Sequence, residues 1–217
     1  MWSPRLAPHA QSSSAKKCSD AQASARARRL EPTRVPISRE VLLLVDVINP
    51  LDFPEAEQML ASALAAARAI ARLKQELARR GVAAIYANDN YGTWHSEFSD
   101  ILQACRSLPG ARGEIAELLA PAPEDLVILK PQHSAFHSTP LEHLLDRMRA
   151  ERLCIVGFAT DMCVMLSATD ARMCGYQVQV PRNCTAAESA WRKREALRQL
   201  GRAFKCDTRA SVAARKP

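Results

Sequence analysis

Several polar residues stand directly after short apolar runs, and their types are those of acid–base and nucleophilic chemistry. Val41-Leu42-Leu43-Leu44-Val45 leads into Asp46, Ala83-Ala84-Ile85-Tyr86-Ala87 into Asn88-Asp89, and Leu126-Val127-Ile128-Leu129 into Lys130. Cys154-Ile155-Val156-Gly157-Phe158-Ala159-Thr160 leads into Asp161-Met162-Cys163. A carboxylate such as Asp46 can take a thiol proton and later hand it to a leaving group. A thiol such as Cys163 can attack a carbonyl carbon and carry the acyl group as a thioester. An ammonium group, Lys130, would hold carboxylate and sulfur in register. Cys163 also falls in the first turn of a helical stretch, where backbone N–H groups are unpaired and the helix dipole favours negative charge. Both effects predict a lowered thiol pKa and an oxyanion stabilised beside the sulfur.

These residues are far apart along the chain, so elements must bring them together. Short apolar runs separated by helical stretches predict parallel strands buried on both faces. Strands are expected at 41–45, 83–87, 125–130, 152–159 and 177–180, with a short one near Cys206. Helices are expected at 57–80, in the stretch following the 88–100 loop, and at 113–120, 163–174 and 188–204. Thr139-Pro140-Leu141-Glu142 opens a further helix as a capping box with proline at its first position. The alternation predicts an α/β fold, a doubly wound and mostly parallel sheet with helices on both faces. In such sheets the ligand crevice lies at the carboxyl ends of the strands, where all of the polar residues above would gather.

The 217 residues suit one such domain with extensions. Three segments are expected: a basic extension over residues 1–36 without fixed structure, a folded domain over 37–208, and a frayed tail over 209–217. The formal net charge of +7 is concentrated at the start, since residues 1–39 carry eight basic and two acidic side chains while the rest carry 22 and 21. The folded body is thus nearly neutral, and no nucleic-acid partner is expected. Seven cysteines without CxxC pairs argue against a disulfide framework or a zinc finger and fit a reducing cytoplasm. No apolar run approaches about 18 residues, so no membrane span is expected.

Gly157-Phe158-Ala159-Thr160-Asp161-Met162-Cys163-Val164, with Ala168-Thr169-Asp170-Ala171 and Gly175-Tyr176 after it, resembles the signature of the isochorismatase-like cysteine hydrolases. Leu43-Leu44-Val45-Asp46, Lys130 and Ser134-Ala135-Phe136 extend the resemblance, in order, from Glu40 to Thr208. The resemblance implies a Rossmann-like three-layer sandwich and a catalytic triad of Asp46, Lys130 and Cys163. It implies an oxyanion hole from the backbone N–H groups of Ala159 and Cys163, and a cis peptide between Phe158 and Ala159. The implied chemistry is thiolate attack on a carboxamide carbonyl, loss of ammonia or an amine, and hydrolysis of the thioester. A homo-oligomer, dimer or tetramer, acting on a small molecule is implied as well.

One part of the family pattern is missing. The nicotinamidase branch carries a metal site written Asp-x-His with a further histidine downstream, whereas Asp89 is followed by Asn90 and Tyr91. No metal and no cofactor are therefore expected. The loop after strand two should border the pocket, which makes Asn88, Tyr91 and Trp94 expected substrate contacts, with Phe136 as an apolar wall. His133 reads as a loop residue without catalytic work, and Asn183, where the family commonly has Asp, as a structural one. The leading expectation is a metal-independent cysteine amidohydrolase. The alternatives are vinyl-ether hydrolysis of an isochorismate-like acid, which needs a cationic pocket, and a non-catalytic binding or assembly module.

Overall fold

A computed structural model describes residues 33–95 and 97–212. The chain divides after Arg34, and the following description concerns the unit that begins at Val35. Most of the extension expected over 1–36, and the end of the tail expected from 209, lie outside the described residues.

Alternation within the first strand shows why the sheet needs cover on both sides. Val41, Leu43 and Val45 of β1 (Glu40–Val45) join one buried cluster, while Leu42 and Leu44 join another. The first cluster is completed by α4 (Leu141–Met148), α5 (Met165–Met173) and α6 (Ala190–Arg202). The second is completed by α1 (Ala56–Arg79), α2 (Phe98–Arg106) and α3 (Ala111–Leu118). Of the α1 apolar positions expected from the helical period, Ala67, Ile70, Leu73 and Leu77 are buried, whereas Leu60 and Leu64 are half-buried and Met59 and Ala63 take the inner face at that end. The remaining strands are β2 (Ala83–Asp89), β3 (Leu126–Lys130), β4 (Arg152–Phe158), β5 (Gln177–Gln179) and β6 (Thr185–Ala186). Every strand pair is parallel, in the order β3-β2-β1-β4-β5, with β6 beside the end of β4. The expected three-layer, doubly wound α/β architecture is present.

The strand order reverses between β1 and β4, because the chain leaves β1 toward β2 on one side and returns to β4 on the other. A crevice opens at such a switch point. Registers place the strand ends level: Val45 pairs with Ala87 and with Gly157, and Asp89 pairs with Lys130. Gly157 allows the closest of these approaches. Its φ is +123°, and a Cβ there would collide with the Val45 carbonyl, so only glycine lets β4 pass the end of β1.

Several boundaries differ from expectation by one or two residues, and three differences go further. Asn88 and Asp89 belong to β2 and not to the loop, since they pair with Leu129 and Lys130 of β3. The helix expected over 163–174 begins as a π-helical turn, Thr160–Val164, and becomes α-helical at Met165. The strand expected near Cys206 is a single bridge between Gln179 and Asp207. Proline sits at the N-cap of α4, and the Thr139 hydroxyl accepts a hydrogen bond from the Leu141 N–H (3.2 Å).

Candidate functional site

Asp46 is the first residue past β1, in a left-handed conformation (φ 50°) that the short polar side chain of aspartate tolerates. This turn aims the carboxylate along the carboxyl edge of the sheet. Its Oδ1 accepts from the Asp89 N–H (2.7 Å), and its Oδ2 pairs with Lys130 Nζ (2.8 Å). Lys130 is 0% exposed and Asp46 3% exposed. A lysine so deeply buried keeps its charge only if its protons find partners. Nζ also donates to the Gln132 carbonyl (3.1 Å), lies 3.8 Å from Cys163 Sγ and stands 3.7 Å from Asp89 Oδ2. Three strands thus bring Asp46, Lys130 and Cys163 into one cluster, although more than a hundred residues separate the first from the last.

The charges in the cluster set one another. Burial raises the Asp46 pKa and Lys130 opposes that rise. Burial works against the Lys130 charge, but Asp46 and then Cys163 outweigh it and hold the ammonium above its ordinary value. The Cys163 thiol is pushed up, by burial first and by the Asp46 carboxylate next, with Lys130 pulling the other way. This corrects the lowered thiol pKa expected from the helix terminus: an adjacent carboxylate and loss of water outweigh the dipole. Burial and the neighbouring carboxylate thus both favour the protonated sulfur over the thiolate.

The residues around Cys163 are held by a second set of contacts. Ser134 Oγ donates to Asp170 Oδ2 (2.5 Å), and Ser167 Oγ accepts from the Ala135 N–H (2.9 Å), clasping the loop after β3 to α5. Arg192 near the start of α6 binds Asp161 of the π-turn (2.5 Å) and also pairs with Glu188. The peptide between Phe158 and Ala159 is cis, as the resemblance implied.

A cleft of about 350 Å³ opens over the cluster, lined among others by Asp46, Asp89, Tyr91, Ala159 and Cys163. Larger hollows elsewhere on the molecule contain neither the lysine nor the thiol. Tyr91, one of the expected contacts, lines the cleft and donates its hydroxyl to the Ile48 carbonyl (3.2 Å). Asn88, Trp94 and Phe136 are not brought there. The Asn88 side chain is 1% exposed and is occupied by the Ile48 backbone, accepting from its N–H (3.1 Å) and donating to its carbonyl (2.9 Å). Trp94 is 78% exposed on its loop, and Phe136 packs on Tyr176. Asn183 lies in a 3-10 turn and clamps the backbone of Ser211 in both directions. Asn88→Ala is expected to cost about 2 kcal/mol, the order of leaving two buried backbone groups unpaired. Chemical denaturation would measure it, and an unchanged midpoint would refute it.

Two further features of the cleft depend on the fold: the surroundings of His133, which the sequence reads as a loop residue without catalytic work, and an acidic rim that the sequence reading missed. His133 Nδ1 lies 3.6 Å from Cys163 Sγ, and Glu55, Asp161, Glu188 and Arg192 complete a strongly acidic rim. The acids of the rim come from separate elements and left no local pattern.

The residues after β2 do not fit a metal site. Asp89 Oδ1 accepts from the Tyr91 N–H (2.7 Å), Asn90 Oδ1 accepts from the Gly92 N–H (3.0 Å), and Tyr91 is tied to Ile48. An amide spent on its own turn and a phenol spent on the Ile48 carbonyl are poor replacements for imidazole ligands.

Comparison with known proteins bears on the family and the fold. The isochorismatase domain model matches residues 40–208. An uncharacterized isochorismatase family protein of Bacillus subtilis, YaaI, is 33% identical over 150 residues, covering 69% of this chain and 82% of its own length. The ureidoacrylate amidohydrolase RutB of Azorhizobium caulinodans is 26% identical over 169 residues, covering 65% and 74%. The nicotinamidase of Staphylococcus aureus has a similar fold, with a TM-score of 0.63 at 22% identity over 80% of this chain and 99% of its own. N-carbamoylsarcosine amidase of Thermoplasma acidophilum gives 0.57 at 22% identity, over 80% and 97%.

Proposed function

The chain belongs to the isochorismatase family of hydrolases, and from that premise we propose that it is a metal-independent cysteine amidohydrolase cleaving a C–N bond of a small carboxamide. The observation that carries this reading is the buried cluster in which Cys163 Sγ lies 3.8 Å from Lys130 Nζ, which pairs with Asp46 at 2.8 Å. Related proteins are named for C–N hydrolysis, as an amidohydrolase and an amidase.

In this mechanism Asp46 takes the Cys163 proton as the sulfur bonds to the carboxamide carbon. Lys130 keeps its charge and holds the carboxylate in place. The backbone N–H groups of Ala159 and Cys163 are assigned to the developing oxyanion, where fixed donors are worth most. Asp46 returns its proton to the departing nitrogen, ammonia or an amine leaves, and water hydrolyses the thioester.

The rim of the cleft narrows the substrate class. Five carboxylates, Asp46, Glu55, Asp89, Asp161 and Glu188, line it against two cations: Arg192, paired with Asp161 and Glu188, and the buried Lys130, paired with Asp46 and near Asp89. This charge disfavours an isochorismate-like acid and with it the vinyl-ether alternative. A panel of matched amides, neutral, cationic and carboxylate-bearing, together with a vinyl-ether acid, tests the reading. Neutral and cationic carboxamides should exceed the carboxylate-bearing one by roughly tenfold in kcat/KM, equivalent to about 1.4 kcal/mol of like-charge repulsion. Preferred turnover of the vinyl ether would refute the assignment.

A further inference from the structure

The Cys163 sulfur has a neighbour for which the Asp46–Lys130 pair does not account. His133 lines the cleft with Nδ1 3.6 Å from Sγ. The loop that carries it is fixed on both sides. Lys130 Nζ donates to the carbonyl of Gln132, the residue before it (3.1 Å), and Ser134, the residue after it, is bound to Asp170 of α5 (2.5 Å). The imidazole is exposed to solvent, whereas Asp46 is buried with one oxygen on Lys130 and the other on the Asp89 N–H. A buried carboxylate in contact with the thiol is suited to the first proton transfer. The second half of the reaction needs a base that water can reach.

We propose that His133 is a further catalytic residue, the general base that hydrolyses the thioester. The proposal rests on the thioester reading given above. The step uses the imidazole tautomer with the lone pair on Nδ1 and the proton on Nε2. Nδ1 takes a proton from water while the water oxygen bonds to the thioester carbonyl carbon. The tetrahedral intermediate then breaks its C–S bond, and the electron pair of that bond stays on Sγ. The imidazolium passes the Nδ1 proton to Sγ across the contact seen at 3.6 Å. A carboxylic acid leaves, and the thiol and neutral imidazole are restored. The same nitrogen therefore serves water and sulfur in turn, which requires it to touch both.

The test uses a carboxamide that the wild-type enzyme hydrolyses and compares wild type, His133→Ala and Cys163→Ala by rapid-mix kinetics and intact mass. His133→Ala should release one enzyme equivalent of ammonia or amine in a burst, accumulate an adduct of acyl mass, and lose on the order of 10²-fold in kcat. Added imidazole should speed decay of that adduct, a rescue that a purely structural role would not show. An unchanged kcat, or a reduced kcat with no accumulated adduct, would overturn the proposal. Undiminished turnover by Cys163→Ala would instead overturn the thioester reading itself, so the two failures are distinct.

Discussion

Cys163→Ala is expected to abolish amide hydrolysis, with a loss on the order of 10⁴-fold or more in kcat, because the thiol supplies the electron pair that forms the acyl-enzyme. The residue is small and barely exposed, packed in the cluster beneath α5. Its replacement by alanine removes one sulfur atom and no hydrogen bond on which the fold depends, so the protein should remain folded. Cys163→Ser is an informative companion. It keeps the volume and offers Asp46 a hydroxyl proton, but an alcohol is far harder to ionise than a thiol, so activity should stay low while substrate binding persists. Equilibrium binding of a slow substrate, measured beside turnover, separates the two contributions. Retained hydrolysis in both variants would remove Cys163 from the mechanism.

Lys130→Met should destabilise the protein by about 3–5 kcal/mol near neutral pH, the usual consequence of removing one member of a buried ion pair. The methionine fills much of the space but leaves Asp46, at 3% exposure, without its counter-charge. The deficit should depend on pH with a definite sign. Burial already raises the Asp46 pKa, and Lys130 is the first influence that opposes it. Without Lys130 the folded-state pKa rises further above the unfolded value. The folded variant then binds a proton that the unfolded chain releases, so its stability grows as pH falls and is lost as pH rises through the folded pKa. Urea unfolding at about pH 5 and about pH 8 should show the gap to wild type narrowing at the lower pH. A gap that does not change with pH would mean that Asp46 is not the group left uncompensated. Turnover should also fall, since the carboxylate would lose the contact that aims it at the thiol.

The outcome for individual residues shows which kinds of information the chain states openly. Asp46 and Lys130 were legible because a charged residue abutting a buried strand is expensive unless it is paired, and both stood at strand ends. The α1 stripe was legible because its burial follows the helical period over 24 residues. Asn88 stood at a strand end too, yet its amide serves the backbone of Ile48. Position alone could not distinguish a side chain that faces a ligand from one that braces a neighbouring turn. Trp94 and Phe136 lie where they do for a related reason: an aromatic near a pocket in sequence can as easily stand on the surface or pack on another ring.

The thiol illustrates the same limit in electrostatics. Local sequence argues for an ionised sulfur at a helix start, and the helix is there, opened by a π-turn. What sets the direction of the pKa is the burial of the sulfur and a carboxylate more than a hundred residues earlier. β6 and the acidic rim were likewise invisible, since a two-residue strand carries no periodicity and the rim gathers single residues from several elements.

Hydrophobic periodicity and the polar strand ends are local properties, so the amino-acid order was enough to establish a doubly wound sheet and to nominate Asp46, Lys130 and Cys163. Distances between strand ends, the charge of the cleft and the neighbours of the sulfur are sums over residues remote in sequence. Only the folded chain decides them, and they are what place His133 beside Cys163 and turn Asn88 away from the cleft.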